Sequence, residues 1–273
     1  MVTIYTTHYN RLDFLHIQYN GLLKYCKDDF SYVVINNGIN EDVKEAISAA
    51  CAKLGVKEIR CVNENRISFC SHDHIMCLEN IHKNYISIDK SDLRVLMDND
   101  VVPYKNFSFF DQIEDKSLCG LRLEAFGPYL ASIFTIYNKD VDLTNFEYNA
   151  KVGDTGSGTG TLIKNGYSVK YIKHTAPIKK KESDYVFKTA KNDAMPYLEE
   201  YMIQFISDCF VHFYRGTGWD NGNEDYYSRK LKFFTYFLEN HEQYNVNLDE
   251  NVMYETAHID EWLYKNKYKL NLI

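Results

Sequence analysis

Asp98-Asn99-Asp100 closes the apolar run Leu93, Val95, Leu96, Met97. Two carboxylates one residue apart, where a buried strand emerges, can hold Mn2+ or Mg2+ against a diphosphate, since hard cations take oxygen ligands. On an extended backbone the two side chains point to the same side. Asp and Asn also form turns through purely local hydrogen bonds, so the triplet has a structural reading too. Its position favours the first reading, because open α/β sheets bind ligands at their strand ends.

Other segments carry groups suited to a phosphorylated ligand. Arg66, in Asn63-Glu64-Asn65-Arg66, offers a guanidinium to a diphosphate or a base. Arg215 offers another within Val211-His212-Phe213-Tyr214-Arg215-Gly216-Thr217-Gly218-Trp219, with the Gly216 and Thr217 amides beside it for phosphate oxygens. Trp219 is the aromatic residue best suited to stack on a sugar face, whereas Phe126, Tyr129 and Tyr214 read equally well as core. Glu124 follows a predicted strand and is a candidate carboxylate contact for a ligand at that strand end. Ser71 of Ser71-His72-Asp73-His74 reads as a helix cap, and histidines at i and i+2 diverge on a helix. Gly156, Gly158 and Gly160 lack the spacing of a dinucleotide fingerprint, and no Gly-Lys-Ser/Thr follows to make a phosphate-binding loop.

The elements that must position these residues alternate. Val2 to Tyr5, ending in Thr6-Thr7, predicts a strand, and Arg11 to Tyr25 a helix with Leu12, Leu15, Tyr19, Leu22 and Leu23 at helical spacing. Tyr32 to Ile35 is an apolar strand stopping at the turn signal Asn36-Asn37-Gly38. A helix over Glu41 to Leu54, a strand over Val56 to Val62, a helix over His72 to Asn84 and the strand Leu93 to Met97 follow. This order predicts an α/β fold with right-handed crossovers and a mainly parallel sheet. Leu118 to Leu123 and Leu130 to Tyr137 have no helix between them and predict an antiparallel addition. Beyond them come a helix from Thr155 to Asn165, a strand from Ser168 to Ile172, a helical stretch over Tyr197 to Ile206, a short strand over Val211 to Tyr214 and a helix over Tyr226 to Glu239. With no repeat or Gly/Ser linker, one domain is expected over 1–273: a nucleotide-binding half (1–100), an acceptor and metal half (101–220) and a helical C-terminal extension (221–273).

The opening strand, Thr6-Thr7-His8-Tyr9-Asn10-Arg11, the second strand ending in Asn36-Asn37-Gly38-Ile39-Asn40, and Asp98-Asn99-Asp100 together resemble the family 2-like glycosyltransferases of the GT-A fold, with their DXD motif. The resemblance covers the first hundred residues well and the rest thinly. It implies a Rossmann-like mixed sheet flanked by helices and a metal-dependent transfer of a sugar from a nucleotide donor to a hydroxyl, with inversion. Thr6, Tyr9, Arg11, Asn37, Arg66, Asp98 and Arg215 then become donor contacts, with Asn in place of the Asp that usually meets base or ribose. Asp98 and Asp100 become metal ligands, and His212 the downstream histidine that completes them, since Mn2+ also accepts imidazole. Asp154, before a predicted helix, becomes the base that takes the acceptor proton, unless it merely caps that helix.

Bulk properties exclude other classes. The net charge of −7 argues against a nucleic-acid binder, which needs clustered Lys and Arg. Seven scattered cysteines without a C-x-x-C pair predict free thiols in a reducing compartment. The chain enters a strand without a signal-like segment and has no run of 18 apolar residues, so a cytoplasmic protein without a membrane span is expected. Abundant Tyr, Asn and Lys with only 4 Pro fit an AT-rich genome, such as a viral one, which would make the compartment the host cytoplasm. The expected partners are a UDP- or GDP-sugar and a glycan or other hydroxyl acceptor. A nucleotidyltransferase is the nearest rival, disfavoured because Thr6 to Arg11 lacks the Gly-rich triphosphate loop. A catalytically silent sugar-binding module is the other.

Overall fold

The computed structural model describes residues 1–61, 70–123, 128–144, 146–147, 156–174, 203–213 and 224–243. Its centre is a seven-stranded sheet built from β1 (Val2–His8), β2 (Phe30–Asn36), β3 (Lys57–Arg60), β4 (Leu93–Asp98), β6 (Leu118–Leu123), β7 (Tyr129–Asn138) and β8 (Val169–Tyr171). The strand order is β3-β2-β1-β4-β7-β6-β8. The first four strands are parallel, β7 runs against both its neighbours, and β8 is parallel to β6. This is the mixed, mainly parallel Rossmann-like sheet that the alternating pattern predicts.

The crossovers are α1 (Asp13–Tyr25), α2 (Glu41–Leu54) and α3 (Cys70–Ile81), the last continuing as a π-helical turn over His82–Ile86. Alternate residues feed two cores on opposite faces of the sheet. Ile4, Val34 and Val95 enter one with Leu15 and Phe134, whereas Tyr5, Val33 and Leu96 enter the other with Leu78 and Leu130. Helix α2 begins where Asn40 accepts from the Val43 N–H and ends at Gly55 in the left-handed conformation. Cys61 and Cys77 are joined as a disulfide, while Cys26, Cys51, Cys119 and Cys209 are free. The pairing corrects the expectation of free thiols throughout: the fold places α3 against the end of β3, a proximity that the 16-residue separation does not reveal.

A second sheet of three short strands positions the site. It has the order β5-β10-β9, from β5 (Val101–Pro103), β10 (Phe210–His212) and β9 (Gln204–Ile206), all antiparallel. Two sequence expectations change here. Gln204–Ile206 is a strand and not the end of a helix, because the tight turn through Ser207, at φ 52°, folds it against β10. The chain also does not remain extended through Asp98-Asn99-Asp100. Strand β4 ends at Asp98, and Asn99 and Asp100 form the turn that carries the chain from the large sheet into the small one.

That turn is held by Gln18 of α1, which is fully buried. Its Nε2 donates to the carbonyls of Asp98 and Val101, both at 2.7 Å, and its Oε1 accepts from the Tyr32 hydroxyl at 2.7 Å. Helix α6 (Glu224–Asn240) packs against the same region through Phe234 on Phe14 and Phe213, and through Phe237 on Tyr104 and Phe205. Helix α4 (Phe109–Ile113) lies between β5 and β6 in sequence, and α5 (Thr159–Lys164) opens on the glycine run. A Cβ on Gly156 would collide with the Leu130 carbonyl, and one on Gly158 would meet the Phe146 ring at 2.5 Å. The glycines therefore permit close packing against β7, where Thr159 Oγ1 accepts from the Leu130 N–H at 2.7 Å. Helix α5 starts later than Thr155, with Gly158 and not Asp154 at its N-cap.

Gln18→Leu keeps the side-chain size but takes the Gln18 partner from the Asp98 and Val101 carbonyls and from the Tyr32 hydroxyl. At about 1–3 kcal/mol for each group left unpaired, a stability loss of about 3 kcal/mol or more is expected in urea unfolding, and a loss below about 1 kcal/mol would remove the clamp from the fold's essential contacts.

Candidate active site

The site forms at the carboxyl ends of β1 and β4, where the register sets Thr7 beside Asp98 and His8 beside Asn36. Asp98 is half-buried at the strand end, while Asp100 is only 4 % exposed. Asp98 ends the strand and Asp100 lies in the turn beyond it, so the pair does not sit on the fully extended backbone expected.

Asp100 faces the small sheet. Its backbone carbonyl accepts from the Phe213 N–H at 2.9 Å, and its Oδ1 lies 3.2 Å from His212 Nε2. Register explains the meeting: His212 is paired across β5 with Val101, the residue after Asp100. His212 is itself 4 % exposed and contacts Gln204 Oε1 through Nδ1 at 2.7 Å. The sequence candidates Asp100 and His212, 112 positions apart by their numbers, thus share one buried corner. Among the described residues no group of three or more His, Cys, Asp or Glu side chains gathers as a metal site.

His8 forms the floor of this corner. It is fully buried, with Nδ1 3.5 Å from Asn99 Nδ2. Among the described residues its Nε2 has no partner of standard hydrogen-bond geometry. Burial pushes its pKa down to about 3, against the pull of the Asp100 carboxylate and an Arg11 backbone group. Asn37 is buried next to it and donates its backbone N–H to the His8 carbonyl at 2.9 Å. The neighbouring Asn36 ties the turn together, donating to the Lys44 carbonyl at 2.8 Å and Glu58 at 2.6 Å while accepting from the Gly38 N–H at 3.1 Å. Thr6 is fully buried between Val34 and Met97 and supports the strand end without lining a surface.

Two cations approach from the side of α6. The Arg11 guanidinium lies over the Tyr227 ring, 3.6 Å from its centroid, and the half-buried Tyr9 accepts from the Ile39 N–H through its backbone. Lys230, only 3 % exposed, places Nζ 4.3 Å from the centroid of Phe213, the residue after His212. Aromatic faces attract such cations through the ring quadrupole. Arg66, Glu124, Asp154, Arg215 and Trp219 lie outside the described residues.

Four contributors escape a reading by motif. Gln18 and Lys230 each left a trace, as polar residues at helical positions otherwise apolar, with Leu15 and Leu22 around the first and Phe234 and Phe237 around the second. His8 and Gln204 left none, because their roles come from sheet register.

His8 gives the site a pH signature. Its folded pKa of about 3 is depressed from the ordinary 6.5, so the unfolded chain binds the extra proton in that interval. Stability is full above about pH 6.5 and falls as the pH drops toward 3, with a slope of about 1.4 kcal/mol per pH unit from this residue. Urea midpoints of His8→Gln measured from neutral to acid pH should fall less steeply than those of the wild type, and equal slopes would show that His8 charges readily in the fold.

No family model matches the chain, and no curated protein matches it in sequence. Among solved structures the chain is similar to S. aureus TarS, at 11 % identity and a TM-score of 0.39, over 62 % of this chain and 35 % of that one. A shorter form of the same protein, TarS 1–349, is matched at 11 % identity and a TM-score of 0.34, over 58 % of this chain and 55 % of that one. The chain therefore spans about a third to just over half the length of the structures it matches.

Proposed function

We propose that the chain is a metal-dependent glycosyltransferase that moves a sugar from a nucleotide donor, a UDP- or GDP-sugar, to a hydroxyl of a glycan or other acceptor, with inversion. The observation that carries this reading is the convergence of Asp100 Oδ1 and His212 Nε2, 3.2 Å apart, at the carboxyl end of a parallel sheet. A carboxylate oxygen and an imidazole nitrogen are both ligands that Mn2+ accepts, so the pair fits such an ion. Mg2+ or Mn2+, when bound, supplies the positive charge that stabilises a leaving diphosphate.

The chain's own residues divide the remaining work. Asp100 and His212 hold the ion, and Asp98, half-buried at the strand end, meets the donor beside them. Asn37, Tyr9 and Arg66 serve the nucleoside side, while Arg11 and Arg215 add positive charge toward the phosphates. Asp154 removes the proton of the acceptor hydroxyl, and Glu124 and Trp219 contact the sugar or the acceptor. No described helix is long and apolar enough to cross a membrane.

Asp100→Asn keeps the shape of the buried corner but removes the charge. It should lower Mn2+-dependent donor binding and hydrolysis by at least about 10²-fold, more than loss of an outer partner would. His212→Ala should weaken Mn2+ affinity as well. A wild-type Mn2+ titration in the Asp100→Asn variant would sink the metal assignment and favour a simple His–Asp ion pair in a sugar-binding module.

Asp154 acts on the acceptor and not on the donor. Asp154→Asn should leave donor and metal affinity unchanged while turnover falls roughly 10²- to 10⁴-fold, the usual contribution of a general base. Stability should stay as it is, since Gly158 occupies the N-cap of α5. Retention of most of the transfer rate would move the base elsewhere, and retained anomeric configuration in the product, read by NMR, would remove the need for one.

A further inference from the structure

Register in the small sheet sets Gln204 directly opposite His212. Gln204 Oε1 lies 2.7 Å from His212 Nδ1, and its Nε2 lies 3.3 Å from Nδ1 of the half-buried His174. The amide sets its NH2 end on His174 Nδ1 and its carbonyl end on His212 Nδ1, an arrangement in which His174 Nδ1 carries the lone pair. A carbonyl oxygen only accepts, so the His212 ring carries a proton on Nδ1. Its Nε2 then faces Asp100 Oδ1 at 3.2 Å with a lone pair, or with a second proton when the ring is charged. The reversed amide would set NH2 against Nδ1, move the ring proton to Nε2 and close the His212–Asp100 contact with its own hydrogen bond. One orientation offers two ligand atoms side by side, and the other occupies both.

We propose that Gln204, steadied by His174, is a positioning residue that fixes the ring proton of His212 on Nδ1 and keeps Nε2 as a ligand atom for a cation shared with Asp100. The cation rests on the metal-dependent reading above, whereas the tautomer does not. Outer partners of metal-binding imidazoles act in this way, by fixing the tautomer and the ring angle. Neither Gln204 nor His174 need touch a substrate for this role.

Two variants test it. Gln204→Glu keeps an acceptor against Nδ1 and loses the donor, whereas Gln204→Met keeps the length and loses both. The readouts are the His212 tautomer by 15N NMR of the metal-free protein at alkaline pH, and Mn2+ affinity by calorimetry. Wild type and Gln204→Glu should show Nδ1–H, and Gln204→Met a mixed or Nε2–H ring. Mn2+ affinity should fall about 10- to 100-fold in Gln204→Met and stay within about threefold of wild type in Gln204→Glu. Should Gln204→Met fail to fold, His174→Phe frees the amide to reverse and should give the same mixed ring. An unchanged Nδ1–H ring in Gln204→Met or, failing that variant, in His174→Phe overturns the proposal. So does a loss of Mn2+ affinity in Gln204→Glu as large as in Gln204→Met. If Asp100→Asn loses Mn2+ while Gln204→Met keeps wild-type affinity, the metal reading stands and this one falls. If the wild type takes no Mn2+, the metal reading falls and the tautomer measurement alone decides the part played by Gln204.

Discussion

The architecture depends on one constraint: the chain must leave a buried strand, turn, and enter a second sheet without stranding its polar backbone. The Asp98 and Val101 carbonyls emerge where the chain leaves the large sheet for the small one, the second of them buried. A single buried amide, from Gln18, receives both and is itself held by Tyr32. With that turn fixed, Asp98 belongs to the large sheet and Asp100 to the small one. His212 and the Phe213 amide, which meet Asp100, are placed by the pairing of three short strands.

A buried carboxylate beside a buried imidazole is stable only if charge is balanced, because taking an unpaired ion out of water is costly. Here the balance can come from a proton on the ring or from a cation between the two. The surroundings prepare for negative charge beyond Asp100 itself, since Lys230 and Arg11 are brought in from α6 and from the start of α1.

The large sheet was legible in the sequence because its strands are apolar runs separated by helices with clear periodicity. Val33 to Ile35 and Leu93 to Met97 announce themselves, and Glu41–Leu54 carries both its cap and its terminating glycine. The small sheet was legible only in part: Val211 to Tyr214 reads as a strand and overlaps β10, but strands of three residues have no period to detect. Val101–Pro103 carries no periodic signal, and Gln204–Ile206 lies at the end of a stretch whose spacing reads as helix. At the site, Asp100 could be found from its place after a strand, and His212 through resemblance. His8 and Gln204 could not, because nothing local distinguishes a residue whose importance arises from what lies across a sheet. The disulfide between Cys61 and Cys77 was hidden for the same reason.

The aromatic packing of α6 on Phe14 and Phe213 has a temporal consequence. Chains emerge from the ribosome N-terminal end first, and contacts between distant segments wait for the later segment to appear. The parallel sheet up to β4 can assemble while the small sheet still lacks two of its three strands. During that interval the Asp100 turn has its clamp but neither its imidazole nor its aromatic cover. The corner is therefore finished last, and a nascent chain carries a formed framework well before it carries a formed site.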